Sequence, residues 1–336
     1  MIKSLIVKNL NGKHNFDLTF HPDINIFIGK NGAGKTTLMK LIWALVSGNI
    51  EILFADKIYF DYLKVEDNDG YVELVIDRVT NKIQYSVFPN DKGEKNTEII
   101  KFNPQKYSIE EYTLQFQINI IDNIFFPTFR RIEGGFGLDA HTTKKIQDIL
   151  SEVFFSFENE TIIDKFVTSI STNDIVELLS REYANIAKNI IDLQTELLKE
   201  VANKTNGELK KYLEQGQIEK EILQKPFTEL SLLVKDIFNK GIKITKDISI
   251  GDEANAISAD KLSSGEKQML SFFAYNMFYK KAAIFIDEPE ISLHTDWQKV
   301  LFPSLLAQGT ENQFFVATHS PFIYAKYPDK TFNLSK

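Results

Sequence analysis

A glycine-rich segment near the start of the chain has the spacing of a phosphate-binding loop, G-x-x-x-x-G-K-[ST]. It reads Gly29-Lys30-Asn31-Gly32-Ala33-Gly34-Lys35-Thr36-Thr37, directly after an apolar run. Glycines let backbone N–H groups face an anion, and a helix that begins at Lys35 would add the positive end of its dipole. We therefore expect a nucleoside triphosphate to contact residues 29 and 31–37, with Lys35 at the β- and γ-phosphates and the Thr36 hydroxyl on Mg²⁺.

Two adjacent carboxylates follow a second apolar run, from Ala283 to Ile286. A buried strand that ends in a carboxylate places Asp287 at the carboxyl edge of a parallel sheet, where ligands collect. Asp287 is therefore predicted to hold Mg²⁺. Glu288 points in a different direction and is predicted to be the general base that activates water. An acidic pair could simply cap a strand, but the phosphate loop favours the catalytic interpretation.

A short polar segment, Leu262-Ser263-Ser264-Gly265-Glu266, lies before a predicted helix over 267–279. N–H groups and a hydroxyl at the start of a helix can face an anion. By itself this pattern is typical of an ordinary helix cap. Its distance of 22 residues from Gly265 to Asp287 favours a role in nucleotide binding instead.

Residues 262–268 resemble the LSGGQ-type signature of ABC ATPases, in the form common in SMC-, RecF- and OLD-like branches. The segment from Asp287 to His294 is similar to the DEPE..LH segment of OLD-like ATPases, with Thr295 where many have proline. His319, in Thr318-His319-Ser320, resembles the switch histidine that senses the γ-phosphate. The resemblance implies ATP and Mg²⁺ as cofactors. The predicted catalytic residues are Glu288, Lys35 and His319, and the predicted signature contacts are Ser263, Ser264, Gly265 and Glu266.

The same resemblance implies a homodimer. In the family the signature contacts the γ-phosphate held by the other subunit, and this chain has one phosphate loop and one signature. Two copies, or a larger homo-oligomer, would therefore meet head to tail around ATP. Ser292, Leu293 and His294 would form the D-loop that contacts the second copy.

One family element has no clear counterpart. A Q-loop glutamine normally follows the strand that leaves the antiparallel sheet, but Gln115 and Gln117 precede the predicted strand 120–126. The loop after that strand offers Thr128, Arg130 and Arg131. Residues 126–133 resemble a segment in ATPases of antiphage systems of the PARIS type. The two arginines could stabilise phosphate charge, contact a partner or form a surface ion pair, and these alternatives stay open.

The elements that must position these residues predict an α/β fold, and the resemblance implies a P-loop NTPase with an ABC-ATPase-like core. Apolar runs predict strands at 2–9, 15–20 and 24–29, a helix from Lys35 to Val46, and an antiparallel subdomain with strands at 57–64, 71–79, 82–88 and 97–102. Apolar spacings of three and four predict a helical insertion that stops at Asn206-Gly207. A compact amphipathic lobe packed on the core is favoured over a coiled-coil arm. The expected regions are an N-terminal ATPase lobe (1–135), a helical insertion lobe (136–245) and a C-terminal ATPase lobe (246–336).

Composition limits the function classes. The 336-residue chain is 43% hydrophobic and 25% charged, has no cysteine and carries a net charge of −7. No run of 18 apolar residues occurs, so no membrane span and a cytoplasmic location are expected. DNA contact would need local basic patches, and the pairs Lys144-Lys145, Lys210-Lys211 and Lys280-Lys281 leave that question open.

Three functions are compatible with these patterns. The favoured one is an ABC-type ATPase that gates a separate effector, a nuclease or toxin, in antiphage defence. OLD-family proteins carry a TOPRIM nuclease after the ATPase, whereas only 16 residues follow Ser320 here, so the nuclease is expected on another polypeptide. The alternatives are a RecF-like repair ATPase that clamps DNA and, more weakly, a transporter's nucleotide-binding subunit.

Overall fold

The computed structural model describes residues 1–89, 96–103, 108–109, 121–128, 131–132, 164–167, 169–201, 206–246 and 248–335. Eighteen strands lie within these ranges: β1 (Ile2–Leu10), β2 (His14–Thr19), β3 (Ile24–Ile28), β4 (Tyr62–Asp67), β5 (Gly70–Asp77), β6 (Lys82–Pro89), β7 (Asn96–Asn103), β8 (Ser108–Ile109), β9 (Asn123–Phe126), β10 (Arg131–Ile132), β11 (Asp164–Phe166), β12 (Ser169–Ile170), β13 (Gly241–Lys243), β14 (Ser249–Gly251), β15 (Ala256–Ser258), β16 (Ala283–Asp287), β17 (Gln313–Ala317) and β18 (Thr331–Asn333).

Seven α-helices accompany the strands in the same ranges: α1 (Lys35–Val46), α2 (Glu51–Ala55), α3 (Thr172–Val201), α4 (Asn206–Phe238), α5 (Ser264–Phe278), α6 (Thr295–Ala307) and α7 (Pro321–Tyr324). The predicted helix after the phosphate loop is confirmed at both ends. The signature helix begins at Ser264, three residues earlier than expected, because a side-chain cap at Ser263 starts it there.

A six-stranded parallel sheet positions the site, in the order β11-β9-β16-β17-β3-β18. Its central strands are apolar and buried along their length, as expected for a sheet covered on both faces. The phosphate loop follows β3 and the acidic pair ends β16, with only β17 between them. At about 4.8 Å between neighbouring strands, the two segments leave the same edge about 10 Å apart.

The antiparallel sheet predicted beside the phosphate loop is present, in the order β2-β1-β4-β5-β6-β7-β8. Its first predicted strand, 57–64, is displaced to Tyr62–Asp67, because α2 and the turn after it occupy the preceding residues. One face packs on α1 in a shared apolar core. The buried Gln313 amide joins the two sheets: Ile2 N donates to Oε1 at 2.8 Å, and Nε2 donates to Ile2 O at 2.8 Å.

The helical insertion forms a hairpin of two long helices, α3 with 30 residues and α4 with 33. Compact packing on the core was expected for the whole segment. Among its described residues this packing is found at the root, where residues such as Leu179 and Val234 are buried. Farther out, apolar side chains such as Leu198 and Ile222 are exposed. Helix α3 ends at Val201, and Asn206-Gly207 begins α4 instead of stopping a helix. Residues 133–163 lie outside the described ranges, so the predicted three-region division stays a prediction.

The root of the hairpin leads into the signature through a small three-stranded sheet, β14-β13-β15. Helix α4 contacts this sheet, where Gly251 N donates to Ser231 Oγ at 2.8 Å. The aromatic ring of Phe238, at the end of α4, lies 5.5 Å from that of Trp297 in α6. The hairpin is therefore attached to the elements that carry the signature and the D-loop.

Candidate nucleotide and magnesium site

The phosphate loop is formed by a backbone that only glycine adopts easily. Gly34 caps α1 with φ +91°, a left-handed conformation that costs an L-residue about 1–2 kcal/mol. The first turn of α1 contains no acidic side chain, so its N–H groups and positive dipole end are available to an anion. This local structure suits the β- and γ-phosphates of a nucleotide.

Lys35 is 7% exposed, and its ammonium group lies inside the loop. Its Nζ donates to the carbonyl oxygens of Gly29 at 3.1 Å and Lys30 at 3.3 Å. The same Nζ lies 2.8 Å from His319 Nε2. A buried ammonium group needs several acceptors, and here two carbonyls and an imidazole provide them. The predicted phosphate-binding lysine and switch histidine are therefore in direct contact.

Thr36 and Asp287 also meet, although 251 positions separate them in the chain. Thr36 Oγ1 donates to Asp287 Oδ2 at 2.8 Å, and the aspartate is 1% exposed. Carboxylate and hydroxyl oxygens are ligands that Mg²⁺ prefers, usually together with substrate phosphates and water. The two predicted metal ligands therefore fit a magnesium ion, since they converge beside the phosphate loop.

Glu288 has a strained backbone, with φ +50° in the left-handed region. Its N–H donates to Ala317 O at 2.8 Å, which ties the loop after β16 to the end of β17. Burial, together with the nearby carboxylates of Asp287 and Glu290, raises the pKa of the Glu288 carboxyl, while His319 and Lys35 oppose that rise. A raised pKa makes a carboxylate a better proton acceptor, as a general base requires.

Glu290 was not among the predicted site residues, yet it holds the switch segment in place. Its Oε2 accepts from Thr318 Oγ1 at 2.8 Å, and its Oε1 accepts from the backbone N–H of His319 at 2.7 Å. Both oxygens of one carboxylate are thereby used to fix two consecutive residues. The sequence signal was the next acidic residue after Asp287-Glu288, four positions beyond Ile286, where the apolar run ends.

Residues of the signature form the start of α5. Ser263 Oγ accepts from Glu266 N at 3.4 Å, and Glu266 Oε2 accepts from Ser263 N at 2.8 Å, which is a capping box. An ion pair joins the Glu266 carboxylate to Lys240. Burial alone would raise the pKa of Glu266, but the hydrogen bonds from Lys240 and Ser263 lower it below its usual range. This geometry gives Glu266 a role in capping the helix, and its predicted contact with the nucleotide stays a prediction.

Gly265 allows close contact between the signature and the predicted D-loop. A Cβ atom at this position would lie 2.5 Å from the carbonyl oxygen of Ser292, whose own φ is +66°. Within the described ranges, no hydrogen bond or ion pair joins residues 263–266 to the phosphate loop of the same chain. The structure thus brings Lys35, Thr36, Asp287, Glu288 and His319 together, without a polar contact of the described residues from the signature to the phosphate loop.

Two glutamines missed by the sequence analysis connect these segments. Gln268 Nε2 donates to Pro289 O at 2.8 Å, from the signature helix to the loop after Asp287. Gln298 Nε2 donates to Leu293 O at 2.8 Å, and its Oε1 accepts from Ser320 Oγ at 2.6 Å. Isolated glutamines carry no sequence signal for such roles. Among the Q-loop candidates, Gln115, Gln117 and Arg130 lie outside the described residues, as does the side chain of Arg131, whereas Thr128 is described.

The fold and site together define an ATPase class. A family model described as an AAA ATPase domain matches residues 1–324. The match covers nearly the whole chain, so the protein belongs to that ATPase family, whose members bind ATP and typically Mg²⁺. The predicted resemblance to SMC-, RecF- and OLD-like ATPases, including those of antiphage systems, is confirmed.

Curated relatives show how far the similarity extends. Endonuclease GajA from Bacillus cereus (strain HuB5-5) is 20% identical over 365 residues, covering 91% of this chain and 53% of the relative. The DNA replication and repair protein RecF from Lactococcus lactis subsp. cremoris (strain MG1363) is 23% identical over 244 residues, covering 72% and 63%. The chain therefore spans less than two thirds of the length of both relatives.

Among solved structures, this chain is similar to an Smc head domain derived from Pyrococcus furiosus. That structure has an extended coiled coil and is bound to the C-terminal domain of ScpA. The alignment covers 96% of this chain and 91% of that chain, with a TM-score of 0.42 and 15% identity.

Within the described residues of the present chain, no helix has the length and apolar character needed to cross a membrane.

Proposed function

We propose that this protein hydrolyses ATP to ADP and phosphate at composite sites between two copies of the chain. The observation that carries the proposal is the convergence of the phosphate loop, the acidic pair and His319 at one sheet edge. Direct contacts join Lys35 to His319 and Thr36 to Asp287. In this assignment Gly29, Asn31, Gly32, Ala33, Gly34, Lys35, Thr36 and Thr37 bind the triphosphate.

The roles of the side chains follow from charge and reach. Lys35 leaves its carbonyl acceptors to bind the β- and γ-phosphate oxygens, and Thr36 and Asp287 hold the magnesium ion. That ion supplies positive charge against the charge that builds on the transferred phosphoryl group. Glu288 accepts the proton of the attacking water, and His319, whose Nε2 lies 2.8 Å from Lys35 Nζ, senses the γ-phosphate.

The second copy supplies the signature. Ser263, Ser264 and Gly265 lie at the start of α5, and no hydrogen bond or ion pair of the described residues joins them to the chain's own phosphate loop. A two-fold symmetric pairing, in which the phosphate loop of each chain faces the signature of its partner, gives two such sites per dimer. ATP binding then draws the copies together, and hydrolysis releases them.

We further propose that this cycle gates a separate effector protein, a nuclease or toxin, in antiphage defence. Support comes from the GajA relative, whose name is that of an endonuclease and which aligns with 91% of this chain. The exposed outer part of the α3–α4 hairpin takes no part in the nucleotide site, so it is available to contact a partner. A DNA clamp of the RecF kind is the competing function, supported by the RecF alignment.

Purified protein tests the enzymatic proposal directly. Phosphate release from ATP with Mg²⁺ is measured for the wild type and for Lys35→Ala, with Lys30→Ala as the matched loop control. Turnover that disappears only in Lys35→Ala supports the proposal. Activity that survives in Lys35→Ala overturns it, because the charge assigned to the phosphates would then be dispensable.

The effector proposal needs a second experiment. Tagged protein is expressed from its native operon and purified with and without a slowly hydrolysed ATP analogue. The proteins and nucleic acid that remain bound are then identified. A nuclease or toxin that co-purifies in a nucleotide-dependent manner supports gating. Recovery of DNA alone, with the same nucleotide dependence, favours the clamp.

A further inference from the structure

We infer that Thr128 supplies a third oxygen donor to the magnesium site, in the place where a glutamine is expected in related ATPases. Thr128 Oγ1 donates to Asp287 Oδ2, the same carboxylate oxygen that accepts from Thr36. This inference rests on the proposed function, because it concerns the metal that accompanies ATP. It extends that function by naming a ligand for which the sequence offered no assignment.

Strand register explains why Thr128 reaches the site. Strands β9 and β16 are parallel neighbours, and Phe126 pairs with Ile286. The next residues are Pro127 and Asp287, so Thr128 leaves the same sheet edge one position farther along. Proline has no N–H group to continue the ladder, and the chain can turn there. Residue 128 is therefore brought beside Asp287 by the sheet itself.

The distances suit a hard cation. Magnesium binds oxygen at 2.0–2.1 Å in an octahedron, so neighbouring ligand oxygens lie about 2.9 Å apart. Thr36 Oγ1 and Asp287 Oδ2 are separated by 2.8 Å, and Thr128 Oγ1 contacts the same Oδ2 within hydrogen-bond range. The Thr36 hydroxyl thus lies from the Asp287 oxygen at nearly the spacing of neighbouring octahedral ligands, and the Thr128 hydroxyl adjoins the same oxygen.

The chemistry of the two threonine hydroxyls and the Asp287 carboxylate also suits a magnesium ion. Two hydroxyl protons satisfy one carboxylate oxygen, and each hydroxyl keeps lone pairs for a metal. Asp287 is nearly fully buried, so its charge is costly unless donors or a cation compensate for it. The hydrogen bonds therefore hold the three oxygens close together beside the phosphate loop.

The test uses Mn²⁺ as a paramagnetic substitute for Mg²⁺ together with a slowly hydrolysed ATP analogue. Mn²⁺ affinity is measured by EPR for the wild type, Thr128→Val, which keeps the shape but removes the hydroxyl, and Thr128→Ser, which retains it. The matched control is Thr80→Val. The Thr80 hydroxyl also donates to a carboxylate, Asp77 Oδ2 at 2.6 Å, but on an exposed turn.

We expect Thr128→Val to weaken Mn²⁺ binding by about 10-fold and to change the spectrum of the ion that still binds, because one ligand is replaced. Thr128→Ser and Thr80→Val should stay within about twofold of the wild type, and binding of the analogue without metal should be equal in all four proteins. Thermal unfolding checks that each variant is folded, and if Thr128→Val is not, Thr128→Ala takes its place.

Three outcomes separate the two proposals. A wild type that binds no metal with the nucleotide overturns the proposed function itself. A normal wild type with unchanged affinity in Thr128→Val overturns only the assignment of Thr128. Reduced affinity with an unaltered spectrum also overturns that assignment, because the hydroxyl would then only orient Asp287.

Discussion

The carboxylate of Glu290 accepts the backbone N–H of His319 at 2.7 Å and so fixes the switch histidine from the loop that follows Asp287. The same carboxylate accepts from Thr318 Oγ1 at 2.8 Å. His319 in turn contacts Lys35 in the phosphate loop. Three segments that are distant in the chain are therefore joined through two side chains.

Replacing Glu290 tests this arrangement. Glu290→Ala should lower kcat for ATP by about 5–150-fold, the effect of losing hydrogen bonds worth about 1–3 kcal/mol, with little change in KM. Glu290→Gln keeps one acceptor oxygen and should give an intermediate kcat. Steady-state kinetics provide the measurement, and the exposed Glu253→Gln is the control. Equal losses in the Gln and Ala variants, or a rise in KM alone, would contradict a role in positioning His319.

Glu288→Gln addresses the general base. The amide keeps the size of the side chain but cannot accept the proton, so turnover should fall by roughly 10²–10⁴. Nucleotide affinity should persist, since Lys35, Thr36 and Asp287 are intact. Single-turnover hydrolysis and fluorescent-nucleotide binding measure the two quantities separately. Turnover near the wild-type rate would place the base on another residue.

Mixing two variants tests the composite site. Ser264→Arg should block the signature surface and abolish activity while ATP still binds, and Lys35→Ala should weaken ATP binding itself. In a mixture, one site can combine an intact phosphate loop with an intact signature, so partial activity should return. Light scattering with a slowly hydrolysed analogue should show the associated mass. Full activity of Ser264→Arg alone would rule out a signature acting between chains.

Lys240→Met tests the attachment of the hairpin root to the signature. The ion pair with Glu266 is mostly buried, so its loss should lower the free energy of unfolding by about 1–3 kcal/mol at neutral pH. The exposed Lys243→Met is the matched control, and chemical denaturation measures both. An effect no larger than that of the control would show that the ion pair contributes nothing.

The pH dependence of that difference follows from the lowered pKa of Glu266. A carboxyl with a depressed folded-state pKa contributes stability above its unfolded pKa of about 4.3 and loses it as the pH falls through the folded value. The gap between wild type and Lys240→Met should therefore be constant near neutral pH and shrink below about pH 4. A gap that persists undiminished in acid would assign the effect to packing.

Local pattern and sheet geometry explain which parts of the site could be predicted. The glycine spacing fixes a phosphate loop, and a buried strand that ends in Asp287 must deliver that carboxylate to the same edge. Both follow from short-range chemistry, and the contact of Thr36 with Asp287 agrees with it. Helix α1 could be predicted equally well from the sequence, because its apolar face and preceding glycine are local signals.

Long-range pairing explains what the sequence could not reveal. Thr128 reaches Asp287 only because β9 lies beside β16, a neighbour relation that no local pattern encodes. The ion pair of Glu266 with Lys240 was not predicted either, because the two residues meet only in three dimensions. The hairpin was predicted as a compact lobe because helical periodicity does not show whether an apolar face meets the core or a second helix.

The length of the hairpin has a mechanical consequence. Helix α4, with 33 residues, is about 50 Å long, and its inner end lies two residues before Lys240, the partner of Glu266. A rotation of about 10° at this root would move the far end of a rod of that length by about 8 Å. A movement of only an ångström or two at the signature would thus be amplified along the hairpin. At the tip of the hairpin it would become a displacement nearly as large as the diameter of a helix.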